Sequence, residues 1–154
     1  MLIANDGSLD AVRHRVSEYR LRRRVQFYET DSAGMVHFTC FFRYMEEAEH
    51  AMWREAGLSI APAGADVGFP RVAAAFEYHR ALRFEDEFDI TIRVTAIADK
   101  TMSYACVLSK GETRIASGTL TIACVRKPAG EPMKATSIPR EIAARFQVAA
   151  SADR

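Results

Sequence analysis

The 154-residue sequence predicts an α+β domain in which a five-stranded antiparallel sheet wraps around one long central helix. Three observations lead there. A 3–4 spacing of apolar residues is sustained in one long segment, Phe41, Phe42, Met45, Ala48, Met52 and Ala56. From Arg71 onward the apolar period changes to two, as in strands with one buried face. The segments of that second half are joined by corners of two or three residues, which allow hairpins and therefore antiparallel neighbours.

In chain order, residues 1–17 mix Asn, Asp, Gly, Ser and Arg and read as a loose or short helical arm ahead of a single domain over residues 18–150. A first strand is expected from about Glu18 to Tyr28. Its basic run, Arg20-Leu21-Arg22-Arg23-Arg24, alternates with Tyr19, Leu21, Val25 and Phe27, so it fits a solvated or interface-facing strand better than a polyanion site. The helix is expected to start at Thr39, whose hydroxyl can cap an orphan amide, and to stop at Gly57, a residue suited to the left-handed cap. Arg43, Glu46, Glu47, His50, Arg54 and Glu55 fall mostly on its polar side. At 1.5 Å per residue the helix is roughly 25 Å long, enough to serve as the core of a sheet.

Residues 61–70 hold two prolines and two glycines and form a loop. Val72, Ala74, Phe76, Tyr78, Leu82 and Phe84 then alternate, and Glu85-Asp86-Glu87 makes a corner. The next strand carries Phe88, Ile90, Ile92, Val94 and Ala96. Asp99-Lys100 and Lys110-Gly111 turn the chain into two further strands, the last running from about Thr113 to Val125. Pro128, Gly130 and Pro132 end the strands, and Pro139 can open a short closing helix with Ile142, Phe146 and Ala149 on its apolar side.

Composition narrows the function. A chain 49% hydrophobic and 27% charged is an ordinary globular protein, and a net charge of +1 gives no reason to expect a nucleic-acid partner. Cys40, Cys106 and Cys124 lack Cys-x-x-Cys pairing, which favours buried thiols in a reducing cytoplasm. No apolar run suggests a signal peptide or membrane insertion. His14, His37, His50 and His79 have no ligand-like spacing, so neither a metal nor another cofactor is expected.

The chemistry concentrates just before the helix, in Asp31-Ser32-Ala33-Gly34. Asp31 can be read as an Asx-type turn residue that binds nearby amides and complements the helix dipole. It can also be read as a nucleophile or base set beside amides that stabilise an oxyanion. Gly34 suits a backbone that turns with positive φ or comes close to a substrate.

Tyr-x-Thr-Asp-x-x-Gly-x-Val, followed by an aromatic pair and a Phe-Phe-Arg-Tyr-Met-Glu helix, resembles the hotdog-fold acyl-CoA thioesterases. The subgroup most similar is the 4-hydroxybenzoyl-CoA thioesterase type, which includes Tol-Pal-associated thioesterases. The detailed match spans residues 25–58, and the strand order agrees to about Phe146. The resemblance implies a hotdog fold and an acyl-CoA substrate. It implies that Asp31 is the catalytic carboxylate and that the Phe38 backbone amide polarises the thioester oxygen, with Gly34 in the supporting turn. His37, Lys100 and Thr101 are the implied substrate-binding residues, the last two toward the CoA phosphates. Many Tol-Pal-type relatives carry His where this chain has Phe38, so a role for the His37 side chain stays open. Glu46 matches a family glutamate, for which a buried structural hydrogen bond and a chemical role are both open. The resemblance also implies a homodimer or homotetramer with each site between two subunits. Two rival functions are a hotdog acyl-thioester hydratase and a non-catalytic acyl-CoA binder. The first needs a His five residues after the Asp, where this chain has Val36.

Overall fold

The computed structural model describes residues 14–151, so most of the expected N-terminal arm lies outside the described residues. The main elements are β1 (Glu18–Arg24), α1 (Cys40–Glu55), β3 (Arg71–Tyr78), β4 (Glu87–Ile97), β5 (Thr101–Lys110) and β6 (Thr113–Ala123). Between them lie three two-residue strands, β2 (Val67–Gly68), β7 (Val125–Arg126) and β8 (Lys134–Ala135), and a four-residue helix, α2 (Arg140–Ala143). The large sheet has five strands in the order β1-β4-β5-β6-β3, every pair antiparallel. The expected α+β architecture is therefore present.

Helix α1 lies against the sheet because its apolar stripe has nowhere else to go. Phe41, Tyr44, Met45, Ala48, Met52 and Trp53 join Phe88, Ile90, Ile92, Met102, Leu108 and Ile122 in one buried cluster. Trp53 is fully buried, and its Nε1 donates to the Tyr104 hydroxyl at 3.0 Å. Buried Tyr and Trp need such partners, and this bond fixes the rotation of α1 over β5. The helix ends as expected. Gly57 has φ +78°, its amide donates to Arg54 O, and the Leu58 amide donates to Trp53 O, the two bonds of a Schellman cap.

Several expectations need correction. Thr39 is the N-cap residue of α1 as expected, but its hydroxyl makes no capping bond: its backbone is already helical (φ −71°, ψ −24°) and the hydroxyl lies 2.6 Å from the His37 ring. The first strand stops at Arg24 rather than Tyr28, and the chain then tightens into a 3-10 turn over Phe27–Glu29. The β6 ladder ends at Ala123, and Val125 belongs to a second, three-stranded sheet ordered β2-β7-β8. Those strands have two residues each, too short for any periodicity to register. Glu46 makes no buried bond and is half-exposed; the buried helix glutamate is Glu49, paired with Arg71. Arg20, Arg22 and Arg24 point outward and pair with Asp89 and Glu87 across the strand junction, whereas Arg23 points inward.

Strand β3 is the outer edge next to β6 and is unusually open. Val72 is 59% and Tyr78 45% exposed, although the alternation of β3 predicts one buried face. A bulge between Arg71 and Ala73 sets Arg71 opposite the buried Ile122 and lets it reach Glu49.

Candidate active site

The Asp31 turn is the tip of a small hairpin. Its arms are joined by the Thr30–Val36 bridge and by the Asp31 amide, which donates to Met35 O at 2.7 Å. Gly34 closes the tip with φ +78°, its amide donating to Asp31 O at 3.0 Å. Within this tip Asp31 Oδ1 accepts from the Ala33 amide at 2.9 Å and from the Met35 amide at 3.2 Å. The Asx-turn reading thus describes one oxygen. Oδ2 has no hydrogen-bond partner among the described residues.

Past the hairpin the chain runs into α1 through His37 and Phe38. The His37 Nδ1 lies 2.6 Å from the Thr39 hydroxyl and 3.3 Å from the Thr39 amide, and its ring stacks on Phe38 with centroids 4.8 Å apart. The backbone N–H can only donate, so Nδ1 is the acceptor and the imidazole satisfies the amide of the N-cap residue itself. The Cys40 amide donates to His37 O, while the Phe38 N–H meets no acceptor among the described residues. That unused donor lies two residues ahead of α1, near the positive end of the helix dipole.

Asp31 and Phe38 line the same cleft, of about 340 Å³, with Met35, Phe41, Tyr78 and Leu82. Its wall is aromatic: the Phe41 and Tyr78 rings meet edge to face at 4.9 Å. Tyr78 also donates its hydroxyl to Phe38 O at 2.8 Å, and partial burial raises its pKa above the ordinary phenol value. Sequence reading placed Tyr78 in the alternation of a strand and did not see it as part of the site. Its position at the end of β3, where the ladder stops, was the available signal.

The other expected residues are placed less closely. Gly34 supports the tip without lining the cleft, and His37 turns toward Thr39. Lys100 and Thr101 lie at the opposite end of the sheet. Tyr78 pairs with Ala116 and Thr101 pairs with Ala123 on the same strand, a separation of roughly 23 Å by strand rise. Within one chain they are not brought to Asp31. The Cys40 thiol points to Glu29 O at 3.6 Å, and burial, followed by the Glu29 charge, raises its pKa; it is poorly suited to be a nucleophile. Among the described residues no group of three or more His, Cys, Asp or Glu could hold a metal ion, and no helix is long and apolar enough to cross a membrane.

A larger cleft, of about 530 Å³, lies at the other end of α1 beside Glu46, His50 and Arg71. It is roomier, but it does not contain an unused helix N-terminal amide, and the Asp31 cleft is the better candidate for acyl-transfer chemistry.

The Thioesterase-like superfamily profile matches residues 25–146 of this chain. The chain belongs to that superfamily. It is 33% identical over 123 residues to a candidate esterase of Aquifex aeolicus, covering 79% of this chain and 91% of the relative. A 1,4-dihydroxy-2-naphthoyl-CoA hydrolase of Synechococcus elongatus is 28% identical over 85 residues, which cover 53% of this chain and 62% of the relative. The solved structure of a gentisyl-coenzyme A thioesterase superposes with a TM-score of 0.75 at 25% identity, over 84% of this chain and all of that one. The five-stranded sheet and central helix are thus the hotdog fold, and the chain is a thioester hydrolase of this superfamily. None of these three relatives is named for Tol-Pal genes.

Proposed function

We propose that the chain hydrolyses an acyl-CoA thioester to the free acid and CoA, with Asp31 as the catalytic carboxylate and the Phe38 amide as the oxyanion donor. The observation that carries this reading is that Asp31, with an unpartnered carboxylate oxygen, and Phe38, with an unused amide just ahead of α1, line one cleft. A thioester bound with its carbonyl oxygen on the Phe38 N–H gains a hydrogen bond that strengthens as negative charge develops, and the α1 dipole adds to it. Asp31 then acts in one of two ways. It takes a proton from a water that attacks the carbonyl carbon, or it attacks that carbon itself and forms a mixed anhydride that water opens. In both routes the C–S bond breaks with its electron pair on sulfur, and the thiolate leaves as CoA. Gly34 serves by holding the tip that presents Asp31, and His37 by binding the hydroxyl and amide of Thr39, the N-cap of α1.

The acyl group favoured here is a hydroxylated aromatic one. The names of the two hydrolytic relatives point that way, and the Phe38, Phe41 and Tyr78 wall offers ring faces to an aromatic acyl chain. The working unit is at least a dimer formed across the open edge β3, on the reasoning that an exposed strand edge is covered by a second copy. Lys100 and Thr101, far from Asp31 in their own chain, would contact CoA bound to a neighbouring subunit. A cytoplasmic location agrees with three free cysteines, of which Cys106 is buried with its pKa pushed up to about 12 by burial. A panel of hydroxyaryl, benzoyl, short and medium acyl-CoAs with thiol detection tests this reading. Release of CoA fastest from the hydroxyaryl thioesters is expected; no release above background from the whole panel would favour a silent binder.

A further inference from the structure

We infer that Glu29 and Arg23 form a part-buried positioning pair that holds the Asp31 carboxylate in register with the Phe38 amide, an inference that rests on the reading of Asp31 given above. Glu29 stands at the foot of the hairpin, two residues before Asp31. Its carbonyl accepts the His37 amide at 2.8 Å and lies 3.6 Å from the Cys40 thiol, so one residue ties the chain entering the turn to the chain leaving it for α1. Glu29 is only 5% exposed and does not line the cleft. Its Oε1 accepts from Arg23 Nη1 at 2.6 Å and from the Gln26 amide at 2.8 Å.

Arg23 carries the connection onward. Its Nε lies 2.6 Å from Glu47 Oε2, its Nη2 donates to Glu47 Oε1 at 3.2 Å, and its Cζ sits 4.6 Å above the Tyr44 ring. One guanidinium therefore joins β1, the foot of the Asp31 hairpin and α1, the elements that set the distance between the carboxylate and the helix amide. A buried ion pair is weak evidence for stability, because apolar residues often replace it at little cost. Its directional bonds do fix geometry, and the planar fork of arginine serves two carboxylates at once in a way lysine cannot. Burial by itself would lift the Glu29 carboxyl, but the Arg23 and Gln26 bonds outweigh it and hold the group below its ordinary range, so the pair is charged at neutral pH. Glu29 does not touch the cleft and acts through Asp31, as a positioning residue.

The test uses the full chain with Glu29→Gln and Arg23→Lys, each made alone and in an Asp31→Asn background, with acyl-CoA turnover followed under enzyme excess where rates are low. Each single variant should lose about tenfold to a hundredfold in kcat while KM stays within about threefold, the signature of a misplaced catalytic group. In the Asp31→Asn background the same changes should cost less than about twofold, since no carboxylate remains to be positioned. Equal losses in both backgrounds would mean that the pair acts on the whole fold and would overturn the inference. Arg23→Lys keeps the charge, so it decides the matter if Glu29→Gln does not fold. A crippled Asp31→Asn enzyme beside unimpaired Glu29→Gln and Arg23→Lys would sink this inference alone, whereas an Asp31→Asn enzyme with full turnover would sink the Asp31 reading first.

Discussion

The Tyr78 hydroxyl donates to the carbonyl of Phe38 at 2.8 Å, tying the end of the edge strand β3 to the segment that leads into helix α1. The Phe38 carbonyl and amide flank its α-carbon, so a bond to the first restrains where the second points. An exposed strand edge and the proposed oxyanion donor are thereby coupled. The aromatic contacts of Phe41 with Tyr78 and with Phe76, at 4.9 and 5.9 Å, extend the same coupling into the core.

Tyr78→Phe removes this bond and little else. Turnover is expected to fall about threefold to tenfold, with a stability loss of no more than about 1 kcal/mol, typical of a single hydrogen bond at a half-exposed site. Steady-state kinetics and thermal melting on the one variant check both. An unchanged kcat would show that the donor is held in place without Tyr78.

Gly34→Ala tests the turn. The nearest atom to an added Cβ is the Arg83 Nη1 at 3.9 Å, so there is room, but φ +78° is unfavourable for alanine by roughly 1–2 kcal/mol. A lower melting temperature is expected together with reduced turnover, because relaxing φ moves the Asp31 carboxylate. Full activity in a destabilised protein would separate the strain from the chemistry.

The turn that carries Asp31 was legible in the sequence. The Asp31–Gly34 spacing ahead of a 3.6-period helix located the turn, and Gly57 located the helix end, because both depend on local backbone chemistry. What stayed hidden depends on distant residues meeting. Glu29 and Arg23 look like surface charges until the fold brings β1 under α1, and Glu49 looks no different from Glu46 or Glu47 until Arg71 reaches it across a bulge. Thr39 is the N-cap as expected, but the absence of a capping bond from its hydroxyl, which lies against the imidazole of His37, becomes visible only with the backbone in place. The exposure of β3 could not be read at all, since alternation reports which face is apolar and not whether anything covers it.

Glu49 gives the protein a pH-dependent stability term. Its side chain is fully buried, and burial, opposed in part by Arg71, raises its pKa from 4.5 to about 7. A carboxyl whose pKa is higher in the folded state stabilises the fold below about pH 4.5, and that stabilisation is lost as pH rises through about 7. Burial lowers the pKa of neighbouring His50, whose contribution has the opposite sign in the same range, so the comparison must be with Glu49→Gln rather than with pH alone. The melting temperature of the unaltered protein is expected to fall relative to Glu49→Gln between pH 5 and 8. Parallel curves would show that Glu49 ionises alike in the folded and unfolded chain.

The open edge of β3 leads to an expectation about assembly. Val72 and Tyr78 are large residues left half-exposed or more, and such an edge is a template for a second strand. Sedimentation at assay concentration is expected to show a dimer or a multiple of it, and a charged residue at position 72 (Val72→Glu) should shift it toward monomer with loss of turnover. A fully active monomer would contradict a site completed by two subunits.

The most direct test is Asp31→Asn. The substitution keeps the size of the side chain and the oxygen that accepts the Ala33 and Met35 amides, and it removes the charge and the basicity. Turnover should fall by roughly two orders of magnitude or more, as for loss of a general base or nucleophile, while the melting temperature and acyl-CoA binding, measured by calorimetry, stay near those of the unaltered protein. If Asp31 only closes its turn, the variant should instead lose about 1 kcal/mol of stability and keep its turnover, and that result would contradict the mechanism.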